Sequence, residues 1–245
     1  MLRHEGSRDA CGALGRRAAH RLSGRRGFAY SPFMLRLDHL VFACASLDDG
    51  RAWMEARLGQ PAQGGGAHPA MGTCNALWRL GDAYLEMLAV DPEAPPPGRP
   101  RMFGLDLDDV RARLADGPFL LAWVAASDDL DAALAAAPFP IGAPVALSRG
   151  DHLWRLTVSA DGRAPLGGLG PALIEWPQDA PHPVSRMRDM GLRLTRFWCA
   201  TPEPETLRAA LAAVGAADLI EVTTGEGRPR LGCVIEGPGG PFVFD

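Results

Sequence analysis

One order of elements is written into this chain twice and begun a third time. Leu37–Ala43 (LDHLVFA) has the apolar and β-branched content of a strand. Ser46-Leu47-Asp48-Asp49 then opens a helix, with Ser46 as N-cap and Asp49 three residues on as a weak capping-box variant. The helix runs through Trp53 and Met54 to about Leu58 and stops at Gly59. A glycine-rich bend (Gly64-Gly65-Gly66) leads to two strands, Cys74–Leu80 and Ala83–Val90, separated by Gly81-Asp82. The order returns with a strand over Phe119–Ala126 and an Ala-rich helix opened by Ser127-Asp128-Asp129-Leu130 and closed before Pro138. Strands follow at Val145–Ser148, His152–Ser159 and Ala172–Trp176. A third set begins with a strand over Leu192–Ala200 and a helix over Pro204–Val214. Strands at Leu219–Thr224, Leu231–Glu236 and Phe242–Phe244 complete it. A spacing of about 80 residues predicts one supersecondary unit reused. The expectation is an α+β fold of βαβββ modules over residues 34–98 and 99–183, with a third, partial βαβ-type module over 184–245. Pro95-Pro96-Pro97 and Asp179–Pro183 serve as linkers, and Asp108–Leu114 as a short helix within a loop.

Charge sets the first 33 residues apart. The 25 basic residues are all arginine, and seven lie in residues 1–33 beside only Glu5 and Asp9. The remaining 212 residues carry 18 arginines and 27 acids. An acidic body suits no polyanion, so nucleic acid is excluded as the main ligand. Residues 1–33 lack the apolar run of a secretory signal and read as a disordered extension, with a targeting or basic docking role as the alternative. No run approaches the roughly 18 apolar residues of a membrane span, so no membrane is expected as partner. The five cysteines (Cys11, Cys44, Cys74, Cys199, Cys233) are scattered and form no CxxC, which points to free thiols and a cytoplasmic setting. There is no Walker motif and no GxSxG, and Gly167–Gly170 precedes a strand rather than a helix, so it is no phosphate cradle.

Three strands each set one ionisable group in an apolar run: LDHLV, YLEML and LIEW. By alternation His39 shares a face with Val41 and Ala43, Glu86 with Tyr84 and Leu88, and Glu175 with Leu173. A buried carboxylate must be paired, protonated or metal-bound. His39, Glu86 and Glu175 are therefore candidates to share a divalent cation (Zn, Mn, Fe or Ni). A satisfied core histidine and arginine-paired carboxylates are the plainer alternative.

The segments LDHLVFACASLDDGRAWMEARLG, GGGAHPAMGTCNALWRLGDAYLEMLAVDPEAP and ALIEWPQ resemble glyoxalase-like domain proteins of the vicinal oxygen chelate superfamily. That group includes glyoxalase I, extradiol dioxygenases and bleomycin-resistance proteins. The resemblance covers Leu35–Pro92 strongly, extends to about Pro183, and only touches the third set. It implies paired βαβββ modules whose mixed sheets curl around a cavity, with metal ligands on the first and fourth strands of each module. Carried over, the ligands are His39, Glu86 and Glu175. The fourth position falls on Ala122, eight residues before Leu130 as His39 lies eight before Leu47. The family chemistry is bidentate chelation of a small oxygenated substrate on a divalent metal, with Glu86 or Glu175 as the base. Isomerase or lyase chemistry ranks above a dioxygenase. The alternative is a metal-free binding or sequestering protein of the same fold.

His68, Cys74, Asn75, His152 and Trp154 are expected to line the substrate pocket. His68 is open between ligand, acid/base group and turn residue before Pro69. Cys74 stands where many relatives have His, and reads as an inert buried thiol or a reactive one. His152 and Trp154 share a strand face, with Arg155 opposite in a surface ion pair. His182, between prolines, reads as solvated. The third set is open between a partner-docking module and a filler of a cleft that relatives close by dimerising, and a homodimer stays open.

Overall fold

The structure is a computed structural model that describes residues 34–150 and 152–245. The extension expected over residues 1–33, and Asp151, lie outside the described residues. The first module is β1 (Leu35–Ala43), α1 (Leu47–Leu58), β2 (Gly64–His68), β3 (Thr73–Leu80) and β4 (Ala83–Val90). After α2 (Asp108–Leu114), the second is β5 (Phe119–Ser127), α3 (Leu130–Ala136), β6 (Ala143–Arg149), β7 (His152–Val158) and β8 (Ala172–Glu175). All eight strands form one sheet in the order β2-β3-β4-β1-β5-β8-β7-β6. Each module's first strand pairs in parallel with its fourth, and β1 and β5 join the modules antiparallel. The α+β class, the tandem modules and the curled sheet are as expected.

Local chemistry explains the elements. Ser46 Oγ accepts from Asp49 N–H and caps α1, and Gly59 ends it in the left-handed conformation (φ 62°). Asp129 caps α3 by accepting from Ala132 N–H at 2.9 Å. The glycine-rich bend turns out to be strand β2, paired with β3. Side chains cannot follow it there, since a Cβ on Gly65 would lie 2.2 Å from the Asn75 carbonyl oxygen.

The sheet separates two cores. Leu40, Phe42, Leu85, Met87, Trp123 and Leu173 face the helices. Val41, Leu88, Ala122, Val124, Ala172 and Ile174 face the concave side. The third module is β9 (Arg193–Thr201), α4 (Pro204–Ala213), β10 (Glu221–Thr224), β11 (Arg230–Gly237) and β12 (Gly240–Phe244). It forms a separate sheet in the order β10-β9-β11-β12, with β9 parallel to β10. Here the first strand, β9, lies between two strands of its own module, β10 and β11, whereas β1 and β5 each stand at the edge of their own four strands and join the two modules. The sheet packs on the helix side of the larger one. Phe244 meets Phe42 at 5.2 Å and Trp53 at 5.8 Å, and Phe197 meets Trp123 at 5.5 Å. No helix among the described residues is long and apolar enough to cross a membrane.

Candidate functional site

The concave face holds a small pocket. One wall is polar and belongs mainly to the first module: His39, His68, Asn75, Tyr84 and Glu86. The opposite wall is apolar and comes from the second: Leu147, Trp154, Leu156, Ile174 and Trp176. Arg149, at the end of β6, reaches across, and Met102 and Phe103 close one side.

A break in β1 creates the polar wall. The pairing of β1 with β5 slips between Leu37 and His39, so Asp38 is an extra residue in the strand. Such a bulge re-aims side chains. Asp38 and His39 are consecutive, yet both are buried and touch: Asp38 Oδ1 lies 2.7 Å from His39 Nδ1. His39 Nε2 lies 3.4 Å from Glu86 Oε2, and the ring stacks on Tyr84 at 4.5 Å. The second Asp38 oxygen accepts from Trp176 Nε1 at 2.9 Å and lies 3.0 Å from His182 Nε2. Asn75 extends the network. Its Nδ2 donates to Glu86 Oε1 at 2.5 Å and lies 3.3 Å from His68 Nε2. Its Oδ1 accepts from Gly66 N–H at 3.0 Å and from Arg149 Nη1 at 3.1 Å. The amide thus uses its whole capacity of two donors and two acceptors. His68 Nδ1 lies 3.1 Å from Thr73 Oγ1.

Charge states follow from these contacts. Burial presses the His39 imidazole down, but Asp38 and Glu86 outweigh it and raise its pKa to about 9. Burial pushes the Glu86 carboxyl up, but His39, His68 and Asn75 outweigh that and hold it at about 2. Burial likewise opposes ionisation of Asp38, and His182 with His39 overcomes it, holding that carboxyl far below its ordinary value. His68 has no such carboxylate contact, and burial lowers it to about 4. At neutral pH the wall is therefore an imidazolium between two carboxylates, beside a neutral imidazole.

Glu175 does not join this group. It lies on the helix side of the sheet with Leu173, where Arg155 binds it at 2.7 Å and Leu130 N–H donates to it at 3.2 Å. Alternation correctly pairs Glu175 with Leu173; the face they share is the outer one. The register is consistent with one set of second-module counterparts for His39 and Glu86. His39 pairs with Val124 and Val41 with Ala122, a match that agrees with the eight-residue spacing before the helix in placing Ala122, on the concave face, as the counterpart of His39. Glu86 pairs with Val41, and Ala172 pairs with Val124, so Ala172 is the counterpart of Glu86. Both second-module positions are alanine. Among the described residues no three His, Cys, Asp or Glu side chains are placed to share an ion. The donor set does not fit the three-ligand metal centre expected from His39, Glu86 and Glu175.

Residues 37–215 match the family described as a glyoxalase-like domain, a stretch that spans both modules and continues through β9 and α4. The chain belongs to the glyoxalase-like domain family. Similar solved structures include a hypothetical protein from Staphylococcus aureus, at 14% identity and a TM-score of 0.53, covering 74% of this chain and 75% of that one. Methylmalonyl-CoA epimerase from Mycobacterium tuberculosis matches at 21% identity and a TM-score of 0.39, over 61% of this chain and 91% of that one. The Streptomyces coelicolor epimerase matches at 17% identity and a TM-score of 0.38, over 60% and 98%. At 14% identity the first of these shows a likeness of fold alone. No curated protein matches.

In this glyoxalase-like fold His68, Asn75 and Trp154 line the pocket together with His39 and Glu86. Cys74 does not. It lies on the helix side next to Ala76, and burial raises its thiol pKa, which fits an inert thiol. His152 stands edge-on to Trp176 at 6.4 Å and lines an outer depression instead. His182 is not solvated but partly buried against Asp38, Tyr84 and Trp176. Sequence reading misses Asp38 and Arg149, while Tyr84 follows from the face it shares with Glu86. Trp176 was legible by parity with Ile174, whereas Asp38 was hidden by the bulge.

Proposed function

We propose that the protein binds a small oxygenated molecule in the His39–Glu86 pocket through its own side chains, as a metal-free binding or sequestering member of the glyoxalase-like family. The observation that carries this reading is that the second module sets Ala122 and Ala172 where ion ligands would stand, and faces the polar wall with Trp154 and Trp176. The charge states support it as well. General acid–base catalysts work best with a pKa near the operating pH. His39 at about 9, Glu86 at about 2 and His68 at about 4 all keep one protonation state at pH 7. Such a wall displays fixed charge and hydrogen bonds to a ligand, and the tryptophans pack against its apolar part. The free cysteines among the described residues, Cys44, Cys74, Cys199 and Cys233, support a reducing, cytoplasmic setting.

A second reading keeps a divalent metal (Zn, Mn, Ni or Fe) on His39 and Glu86, with bidentate chelation of substrate oxygens and isomerase or lyase activity. Asp38 behind the His39 ring favours it, because carboxylates orient metal-bound imidazoles in this way. Trp154 and Trp176, 5.5 Å apart in the pocket, report binding by fluorescence. Pyruvate and acetohydroxamate serve as vicinal-oxygen probes. Saturable quenching in chelator-treated protein, lost in Trp176→Phe, is the expected result. Quenching that requires added Mn²⁺, Zn²⁺, Ni²⁺ or Fe²⁺ and disappears in His39→Ala establishes the second reading instead.

A further inference from the structure

A second cavity opens between α2, the Ala164–Gly167 turn and the Arg228-Pro229 loop of the third module. Its floor is apolar, with Phe119 and Leu121 of β5 and Val110 of α2. Its rim carries three guanidinium groups, Arg113, Arg163 and Arg228, and one carboxylate, Asp109. Arg163 and Arg228 are largely exposed, and each has an aspartate at 3.4 Å, Asp161 and Asp109 respectively. Arg113 is different. It is half-buried, its guanidinium lies 3.8 Å above the Phe119 ring, and no carboxylate of the described residues pairs with it. Burial, together with the nearby charge of Arg228, disfavours its charged form.

The walls are also held against backbone preference. Phe103 (φ 59°) and Leu166 (φ 50°) are the two non-glycine residues with positive φ among those described. Phe103 lines this cavity, and Leu166 directly precedes Gly167 on its wall. Side chains in this region persist only where the surrounding structure over-determines them, and they cluster at ligand sites.

We infer that this cavity is a second ligand site, for a small organic carboxylate. Its carboxylate takes the paired N–H groups of Arg113, with Arg228 beside it, and its apolar body lies against Leu121 and Val110, at the edge of the Phe119 ring that the guanidinium covers. A planar guanidinium matches a carboxylate in two parallel hydrogen bonds, and such charge-assisted bonds strengthen where water is partly excluded. The apolar floor gives an organic acid contacts that an inorganic anion cannot make. The site is independent of the reading of the His39–Glu86 pocket, although Phe103 lies between the two.

Calorimetric titration with hexanoate, benzoate, hexanamide and inorganic phosphate tests the assignment, with the wild type, Arg113→Gln and Arg228→Gln compared and folding checked by circular dichroism. Both carboxylates should bind, with hexanamide and phosphate weaker by about tenfold or more. Arg113→Gln should lose about tenfold or more in carboxylate affinity, and Arg228→Gln a smaller factor. Carboxylate affinity unchanged in both variants places the ligand elsewhere and overturns the proposal. So does phosphate binding as tightly as hexanoate, or an absence of carboxylate binding. Should Arg113→Gln fail to fold, the Arg228→Gln result decides alone.

Discussion

Asp38→Asn tests the buried charge network where it is most tightly coupled. His39 is 4% exposed, and Asp38 and Glu86, against the pressure of burial, raise its pKa from 6.5 to about 9. At about 1.36 kcal/mol per pH unit this displacement contributes roughly 3 kcal/mol to the folded state. A folded-state pKa above the unfolded one gives a contribution that is complete below pH 6.5 and is lost as pH climbs through about 9. The wild type should therefore lose about 2–3 kcal/mol of stability between roughly pH 6.5 and 8.5. The window stops there because buried thiols add a loss of their own above it. Burial raises Cys44 and Cys233 to about 12 and Cys199 to about 11, so unfolded thiols ionise first. Asn at position 38 keeps the shape but removes one of the two charges facing His39, and leaves one acceptor oxygen where two served His39 on one side and Trp176 and His182 on the other. The expected cost at the low end of the window is about 3–5 kcal/mol, the range for breaking a buried pair, with a flatter pH slope. Urea unfolding followed by circular dichroism across the window reads both quantities. A wild-type stability that stays level there, or a variant that costs less than about 1 kcal/mol with its slope intact, refutes the reasoning.

Other residues make separate predictions. His68 stays neutral to about 4 when folded, so stability falls as pH drops from 6.5 towards that value; His68→Gln should remove about 2–3 kcal/mol of that acid-side loss in the same unfolding assay. Glu175→Gln breaks a partly exposed ion pair on the far side of the sheet and should cost about 1 kcal/mol or less, with ligand quenching of the pocket tryptophans unchanged. Phe244→Ala empties the contact with Phe42 and Trp53 and should cost about 3–5 kcal/mol by urea unfolding. Ala122→His combined with Ala172→Glu fills both counterpart positions. Calorimetry should then show stoichiometric Zn²⁺ binding absent from the wild type, and no gain would contradict the register equivalence.

Periodicity made most of the elements legible, because strand parity and helix caps are local properties. Ser46, Gly59 and Pro138 mark helix boundaries through their own backbone chemistry. The module order and the faces of His39 and Glu86 followed from alternation. Strand β2 escaped because three glycines carry no side-chain pattern, and its pairing rests on a close approach to Asn75 that only the fold reveals. Glu175 was misplaced for a different reason. Parity says which residues share a face but not which face is concave, and that depends on where α3 and Arg155 pack. Asp38 was invisible because a bulge suspends alternation at the residue that orients His39. Arg149 and His182 reach the site from a hairpin and a linker, and no local signal records such long-range contacts.

At neutral pH His39 is a protonated ring held between Asp38 and Glu86. Nitrogen-detected NMR of the imidazole ring reads this directly. Both ring nitrogens should carry protons at neutral pH, with titration near 9 and no change on adding stoichiometric Zn²⁺ or Mn²⁺. A ring that titrates near its ordinary 6.5, or one whose Nε2 signal shifts on addition of metal, would contradict it.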